Sequence, residues 1–178
     1  MNSLRNFYFL RAGVAFVWVA LAFLCASAPT PVAGVLLVLY PLWDAVANVI
    51  DARRSGGLQA NPGQKFNALT SLITAVCMAI AVTLRGNAGG VLVFGVWALL
   101  AGIFQLAVGI RRRKLGGQVF MMISGAQSAL AGVVFSIQAF HAAPGIAQLA
   151  PYAAFGGLYF LLSGLWLTFR KNRALATQ

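Results

Sequence analysis

The chain has 178 residues, of which 61% are hydrophobic and only 8% are charged. Soluble domains usually carry about 25% charged residues, because polar groups must cover their exterior. This composition excludes an ordinary soluble fold and predicts one compact domain, residues 1–178, that lies in a lipid bilayer. The net charge of +11 comes from short basic clusters between apolar runs, so it indicates loops at a membrane surface and not nucleic-acid binding.

Apolar runs recur along the whole chain, each close to the roughly 20 residues that a membrane helix needs. Small residues at 25–28 resemble a signal-peptide cleavage site, but Arg11 interrupts the run before them and Pro29 follows, so we expect a retained first helix. The sixth run ends at Phe169, but its start stays open: Pro151 suits the first turn of a helix, and 146–150 is either part of the span or an interfacial lead-in. The sequence thus predicts an all-α integral membrane bundle of six transmembrane helices, at about 7–28, 32–50, 66–84, 88–110 and 119–140, with a sixth that ends at 169.

The basic residues predict the orientation of these helices. With six spans, Arg85 alone falls on one side, and the other 12 of the 13 Lys and Arg residues fall on the opposite side. Loops rich in Lys and Arg stay in the cytoplasm. We therefore expect a bacterial inner-membrane protein with both termini in the cytoplasm.

The even-numbered spans repeat a short pattern. YPLWDAVAN from Tyr40, FGVWALLAG from Phe94 and GGLYFLLSG from Gly156 align on an aromatic residue. Each has Ala or Ser four residues after the aromatic, and Asn or Gly five residues after it. The pattern predicts three repeated helical hairpins, at about 7–50, 66–110 and 119–169. Such repeats are common in transporters, but duplication of a stable hairpin would also produce them.

Asp44 is the most informative single residue, because it lies about seven residues inside the second span. An ionised carboxylate at such a depth costs about 2.5–3.5 kcal/mol on insertion scales, so it should face protein or water and find a partner. A helix brings Tyr40, Asp44, Asn48 and Asp51 onto one face. This polar stripe predicts one of two roles for Asp44. It forms a structural ion pair, with Arg11 at a similar depth, or it belongs to a cytoplasm-facing vestibule or proton relay.

Other spans carry stripes of small and polar residues. Asn67, Thr70 or Ser71, Thr74 and Cys77 share a face of the third span. Small residues let membrane helices approach closely, and hydroxyl or amide groups bond across the gap. Helix packing is therefore the role expected for Gly102, Gly125, Gly132 and Gly164. Self-association into a homo-oligomer is left open by these stripes.

Signatures of soluble enzymes do not occur in the sequence. HExxH, CxxC, GxSxG and phosphate-binding glycine loops are all absent, and one His with two acidic residues cannot form a usual multi-ligand metal site. We therefore expect no enzymatic activity, catalytic residue, metal or cofactor. Cys25 and Cys77 lie at different depths and predict no disulfide.

Four segments resemble the HdeD-like acid-resistance membrane protein family, whose repeat is a short domain of unknown function. They are RAGVAFVWVALAF from Arg11, WDAVANVIDARRSGG from Trp43, VWALLAGIFQLAVGIRRR from Val96 and SGAQSALAGVVF from Ser124. The resemblance covers about residues 8–169. It implies a six-helix inner-membrane protein linked to survival of acid stress, without implying catalytic residues.

Two classes of function follow from the sequence. The first is a non-enzymatic membrane protein of the stress-resistance type, which acts by assembly or by protecting the envelope and whose expected partner is the lipid bilayer. The second is a small transporter or channel that uses the polar stripe around Asp44 to move protons or a solute. A continuous polar cavity would favour the second class, and a dry, tightly packed interior would favour the first. The sequence names no substrate for either.

Overall fold

The computed structural model describes residues 2–111, 113–115, 119–141 and 144–176. Within these ranges the chain forms five α-helices and two short 3-10 turns, with no β-strand. The helices are α1 (Asn2–Leu24), α2 (Thr30–Arg54), α3 (Pro62–Arg111), α4 (Val119–His141) and α5 (Ala150–Ala176). The predicted all-α class is confirmed, and all five helices are long and apolar enough to cross a membrane.

Local sequence explains where several helices begin. Pro29 precedes α2, and Pro31 lies in its first turn, where a missing backbone donor costs nothing. Pro62 is the first residue of α3 for the same reason. A 3-10 turn at Ile146–Leu149 leads into α5, and Pro151 is the second residue of that helix. This turn lies within 146–150, the segment that the sequence leaves open as either part of the sixth span or a lead-in to it.

Helix α3 consists of two helical halves. The sequence predicts two helices separated by a turn at residues 85–87, and in the structure the two halves meet directly at a kink at Gly86, with φ 60° and ψ −149°. Glycine alone adopts this conformation easily. A Cβ atom added at Gly89 would collide with the backbone carbonyl of Ala81, and one added at Gly90 would lie 2.9 Å from Val82 Cγ2. The halves before and after Gly86 therefore lie against each other.

The helices form two compact units. In the first unit, α1 packs against α5, its partner from the other end of the chain. In the second unit, α3 packs against both α2 and α4. The three repeated hairpins are not confirmed by this arrangement, and the single domain stays a prediction.

The packing reverses the pattern of a soluble protein. Alanine is the commonest buried hydrophobic residue, while large apolar side chains such as Leu24, Leu84 and Leu130 are mostly exposed. Soluble proteins rarely expose such extensive apolar surface. Small residues inside and large ones outside are typical of helices that pack in lipid.

Candidate functional site

The site is centred on Asp44 in the middle part of α2. Its Oδ2 atom accepts a hydrogen bond from Asn48 Nδ2 at 3.0 Å and another from Ser71 Oγ at 2.8 Å. Asn48 Nδ2 also donates to the backbone oxygen of Asp44 at 2.8 Å. The contact with Asn48 follows from helical spacing within α2, and the contact with Ser71 joins α2 to α3. The carboxylate is therefore held by neutral donors from two helices.

Burial makes these donors effective. Asn48 is 6% exposed and Ser71 is 2% exposed, whereas Asp44 itself is half-buried. A hydrogen bond to a charged group in a medium of low dielectric is stronger than the same bond in water. Thr74, one turn further along α3, is also buried and extends the hydroxyl-bearing face. We call Asp44, Asn48, Ser71 and Thr74 the polar cluster.

An aromatic layer lies one turn from Asp44 along α2. The Tyr40 ring lies 5.8 Å from that of Phe94 and 6.2 Å from that of Trp97. Phe94 is fully buried and also makes edge contacts with Trp97 at 5.6 Å and Phe135 at 5.9 Å. These rings fill the interior of the second unit around Tyr40, one turn of α2 before Asp44. Tyr40 therefore belongs to the aromatic packing, which helical periodicity alone does not reveal.

Asp51 takes part in a separate contact. Its Oδ2 atom accepts a hydrogen bond from Gln64 Nε2 at 3.3 Å, which joins the end of α2 to the beginning of α3. The predicted stripe from Tyr40 to Asp51 therefore divides in the structure into an aromatic part, a buried polar part and a contact near the helix ends.

Arg11 lies in the first unit and has aromatic neighbours there. Its guanidinium carbon is 4.1 Å from the ring centroid of Phe160 on α5 and 6.0 Å from that of Phe7 on α1. Tyr8 stacks on Phe160 at 6.2 Å. A cation over an aromatic face is stabilised by the ring quadrupole, most strongly where water is excluded. The ion pair predicted between Arg11 and Asp44 stays a prediction.

The four glycines singled out by the sequence lie at close helix approaches. A Cβ atom at Gly102 would meet the backbone oxygen of Gly125 at 2.6 Å, and one at Gly125 would meet the Leu106 nitrogen at 2.7 Å. A Cβ atom at Gly132 would meet the Gly95 oxygen at 2.6 Å. In the first unit, a Cβ atom at Gly164 would lie 2.8 Å from a ring carbon of Phe9. The α3–α4 crossing is also linked by Ser128 Oγ, which donates to the Ala98 oxygen at 2.9 Å.

Two of the surface clefts lie in the second unit, and the polar cluster lines neither of these two. One has a volume of about 420 Å³, and the other about 290 Å³. Their lining is predominantly apolar and comes from Leu99, Val133, Ser136, Ile137, Phe140 and His141 in the larger, and from Ala79, Ile80, Thr83 and Leu84 in the smaller. Among the residues that the structure describes, no three His, Cys, Asp or Glu side chains lie close enough to hold a metal ion.

Sequence reasoning placed Ser71 in a packing stripe and did not pair it with Asp44. The sequence offered one indication of this pairing: either Thr70 or Ser71 could lie on the polar face of the third span. The structure separates them, because Thr70 Oγ1 donates to the carbonyl of Phe66 in its own helix at 2.9 Å, whereas Ser71 reaches α2. Asn67 and Cys77, from the same predicted stripe, are exposed.

Comparison with protein-family models, with curated proteins and with solved structures finds no match to this chain. The resemblance to the HdeD-like family stays a prediction from the segments quoted above.

Proposed function

We propose that this chain is a non-enzymatic, multi-pass protein of the bacterial inner membrane, of the HdeD-like acid-stress resistance type. The observation that carries the proposal is the combination of a small-residue interior with an apolar exterior on five membrane-length helices. A soluble enzyme would leave this exterior facing water, at a high cost in free energy. The polar cluster joins α2 to α3 and serves as a structural clamp inside this assembly.

The proposal includes six membrane crossings. A continuous helix of 50 residues would be about 75 Å long, more than twice the roughly 30 Å hydrocarbon core of a bilayer. The break at Gly86 and the close contact of Gly89 with Ala81 support two antiparallel crossings within α3. Five helices then make six spans, which supports both termini on one side.

The distribution of basic residues supports a cytoplasmic location for that side. Arg53 and Arg54 end α2, Lys65 lies in the first turn of α3, and Arg111 ends α3. Arg85 lies beside Gly86, at the other end of each α3 half. Loops that carry Lys and Arg remain in the cytoplasm during insertion.

Cysteine labelling in intact cells tests this orientation. In a background with Cys25→Ser and Cys77→Ser, we expect Gly145→Cys to react with a membrane-impermeant maleimide, and Gln59→Cys to react only after the cells are permeabilised. Gln59 is exposed, whereas the neighbouring Gly57 has φ +91° and would be strained by a side chain. Reaction of both cysteines from the same side would overturn the six-span topology.

The physiological part of the proposal is tested by survival. Cells that lack this chain should survive an acid challenge less well than cells that express it, and re-expression should restore survival. Equal survival of the two strains over a graded series of acid exposures would remove the acid-stress assignment without affecting the topology.

The second candidate function is proton or solute movement through the polar cluster. The observation that favours it is the half-buried carboxylate of Asp44 next to the hydroxyl group of Ser71, with the buried Thr74 one turn further along α3. In vesicles that contain the purified protein and a trapped pH dye, a transporter should give a flux that Asp44→Asn abolishes while the protein remains folded. A structural clamp predicts no flux above that of empty vesicles for either protein.

A further inference from the structure

Three parts of the second unit meet at one end. The Asp51–Gln64 hydrogen bond joins the end of α2 to the beginning of α3, and the Phe66 ring lies 5.3 Å from that of Phe104 near the end of α3. These contacts bring a set of exposed cations to the same end: Arg53, Arg54, Lys65, Arg111, Arg113 and Lys114. Among the described residues at this end, Asp51 is the one acid, and its carboxylate accepts the Gln64 bond. This end therefore carries a strong net positive charge.

Hydrogen bonds within the chain hold the loop between α2 and α3, which links Arg53 and Arg54 to Lys65. Asn61 Nδ2 donates to the backbone oxygens of Ser55 and Gly57, each at 2.8 Å. The nitrogen of Gly57 donates to the Ala52 oxygen at 2.7 Å and closes the end of α2. Gly57 has φ +91°, a conformation that suits glycine at a helix end. The loop is therefore a folded link between α2 and α3, so its backbone need not become ordered when a ligand binds.

An exposed pair of rings lies next to these cations. Phe66 is 49% exposed and Phe104 is 53% exposed, and their rings meet edge to face. Lys65 directly precedes Phe66. Arg111 follows Phe104 by seven residues, which puts both on one face of the helix about 10 Å apart along its axis. Cations next to an exposed aromatic surface suit an anionic amphiphile, because the cations can bind its headgroup and the rings can pack against its apolar chain.

We propose that Lys65, Phe66, Phe104 and Arg111 form a binding site for one anionic phospholipid. The two cations bind the phosphate of the headgroup, and the two rings pack against an acyl chain. The proposal rests on the membrane location proposed above. The exposed rings favour a lipid over a soluble anion, because a free phosphate ion would use the cations alone, whereas a phospholipid also covers the rings with an acyl chain.

The test uses the full chain, purified in a neutral detergent and titrated with phosphatidylglycerol under native mass spectrometry. We expect a saturable first lipid to bind more tightly than phosphatidylcholine. Lys65→Gln and Arg111→Gln should each weaken the affinity for phosphatidylglycerol about fivefold, because each cation near a lipid phosphate contributes roughly 1 kcal/mol. Arg85→Gln removes the same charge at the other end of the α3 halves and should leave this affinity unchanged. Phe66→Ala together with Phe104→Ala should also weaken it.

Several outcomes would overturn the site. Equal binding of phosphatidylcholine would indicate ordinary lipid solvation, and an equal loss with Arg85→Gln would indicate an effect of total charge. Displacement of the lipid by millimolar inorganic phosphate, with no effect of the ring substitutions, would identify a soluble-anion site. Gel filtration and thermal unfolding of every variant exclude misfolding as the cause. Since this titration does not depend on orientation, failure of the topology appears only in the cysteine labelling.

Discussion

The two units of the molecule bring their helices together by different means. In the first unit, glycines of α5 face side chains of α1: Gly157 lies against the Cβ atom of Ala15 and the ring of Phe16, and Gly164 lies against the ring of Phe9. At the α3–α4 crossing of the second unit, glycines face backbone. Gly95 and Gly102 on α3 meet the backbone of α4 around Gly132 and Gly125, at distances that leave no room for a Cβ atom.

The difference indicates that the cost of replacing a glycine at a helix crossing depends on which atoms its neighbour presents. Where its neighbour is the end of a ring, that ring can rotate or shift to admit a methyl group. Where its neighbour is backbone, two whole helices must separate. The second unit also has a polar link between helices, from Ser71 to Asp44, whereas the first unit places the cation of Arg11 over an aromatic ring.

The largest expected effect is on the α3–α4 crossing. Gly102→Ala and Gly132→Ala should each lower the free energy of unfolding by about 3 kcal/mol, the upper end of the usual cost of overpacking, because the added methyl group meets backbone atoms. Reversible unfolding in mixed micelles of mild detergent and dodecyl sulfate would measure this. Gly13→Ala is the control, since no atom lies within 4 Å of its added Cβ, and it should be neutral or slightly stabilising. Equal effects at Gly13 and Gly102 would contradict the close crossing.

The next effect concerns the polar link. Ser71→Ala should destabilise the protein by about 1 kcal/mol, because interhelical hydrogen bonds in membranes average roughly 0.6 kcal/mol and reach about 1.7 kcal/mol. Thr70→Val removes a neighbouring hydroxyl that bonds only within its own helix, so it should cost less. In a double-mutant cycle, Ser71→Ala should have no further effect once Asp44→Ala is present. Additive losses in that cycle would show that Ser71 acts independently of Asp44.

The smallest effect is expected in the first unit. Gly164→Ala should cost less than about 1 kcal/mol, because its added methyl group meets the mobile ring of Phe9 and not a backbone atom. Combining it with Phe9→Leu should recover part of the loss by making room for the methyl group. A cost for Gly164→Ala as large as that for Gly102→Ala, measured in the same micelles, would remove the distinction between the two units.

Much of the fold could be predicted from local sequence. Apolar runs separated by Pro, Gly and basic residues indicate membrane helices, since each run must satisfy its own backbone hydrogen bonds in lipid. The site was only partly predictable. Asn48 pairs with Asp44 through helical spacing, which can be read directly from the chain, but Ser71 is 27 residues away from Asp44 and reaches it only through the register of α2 against α3.

The sequence by itself therefore determined the helical class, the apolar exterior and the glycines available for close packing, because these depend on residue type and on spacing within one helix. The tertiary structure alone decided that α1 packs with α5, and that Ser71 rather than Thr70 faces Asp44. These features depend on which helix faces meet and on the register of one helix along the other. Small apolar residues specify that choice weakly in the sequence, since many pairings bury them equally well.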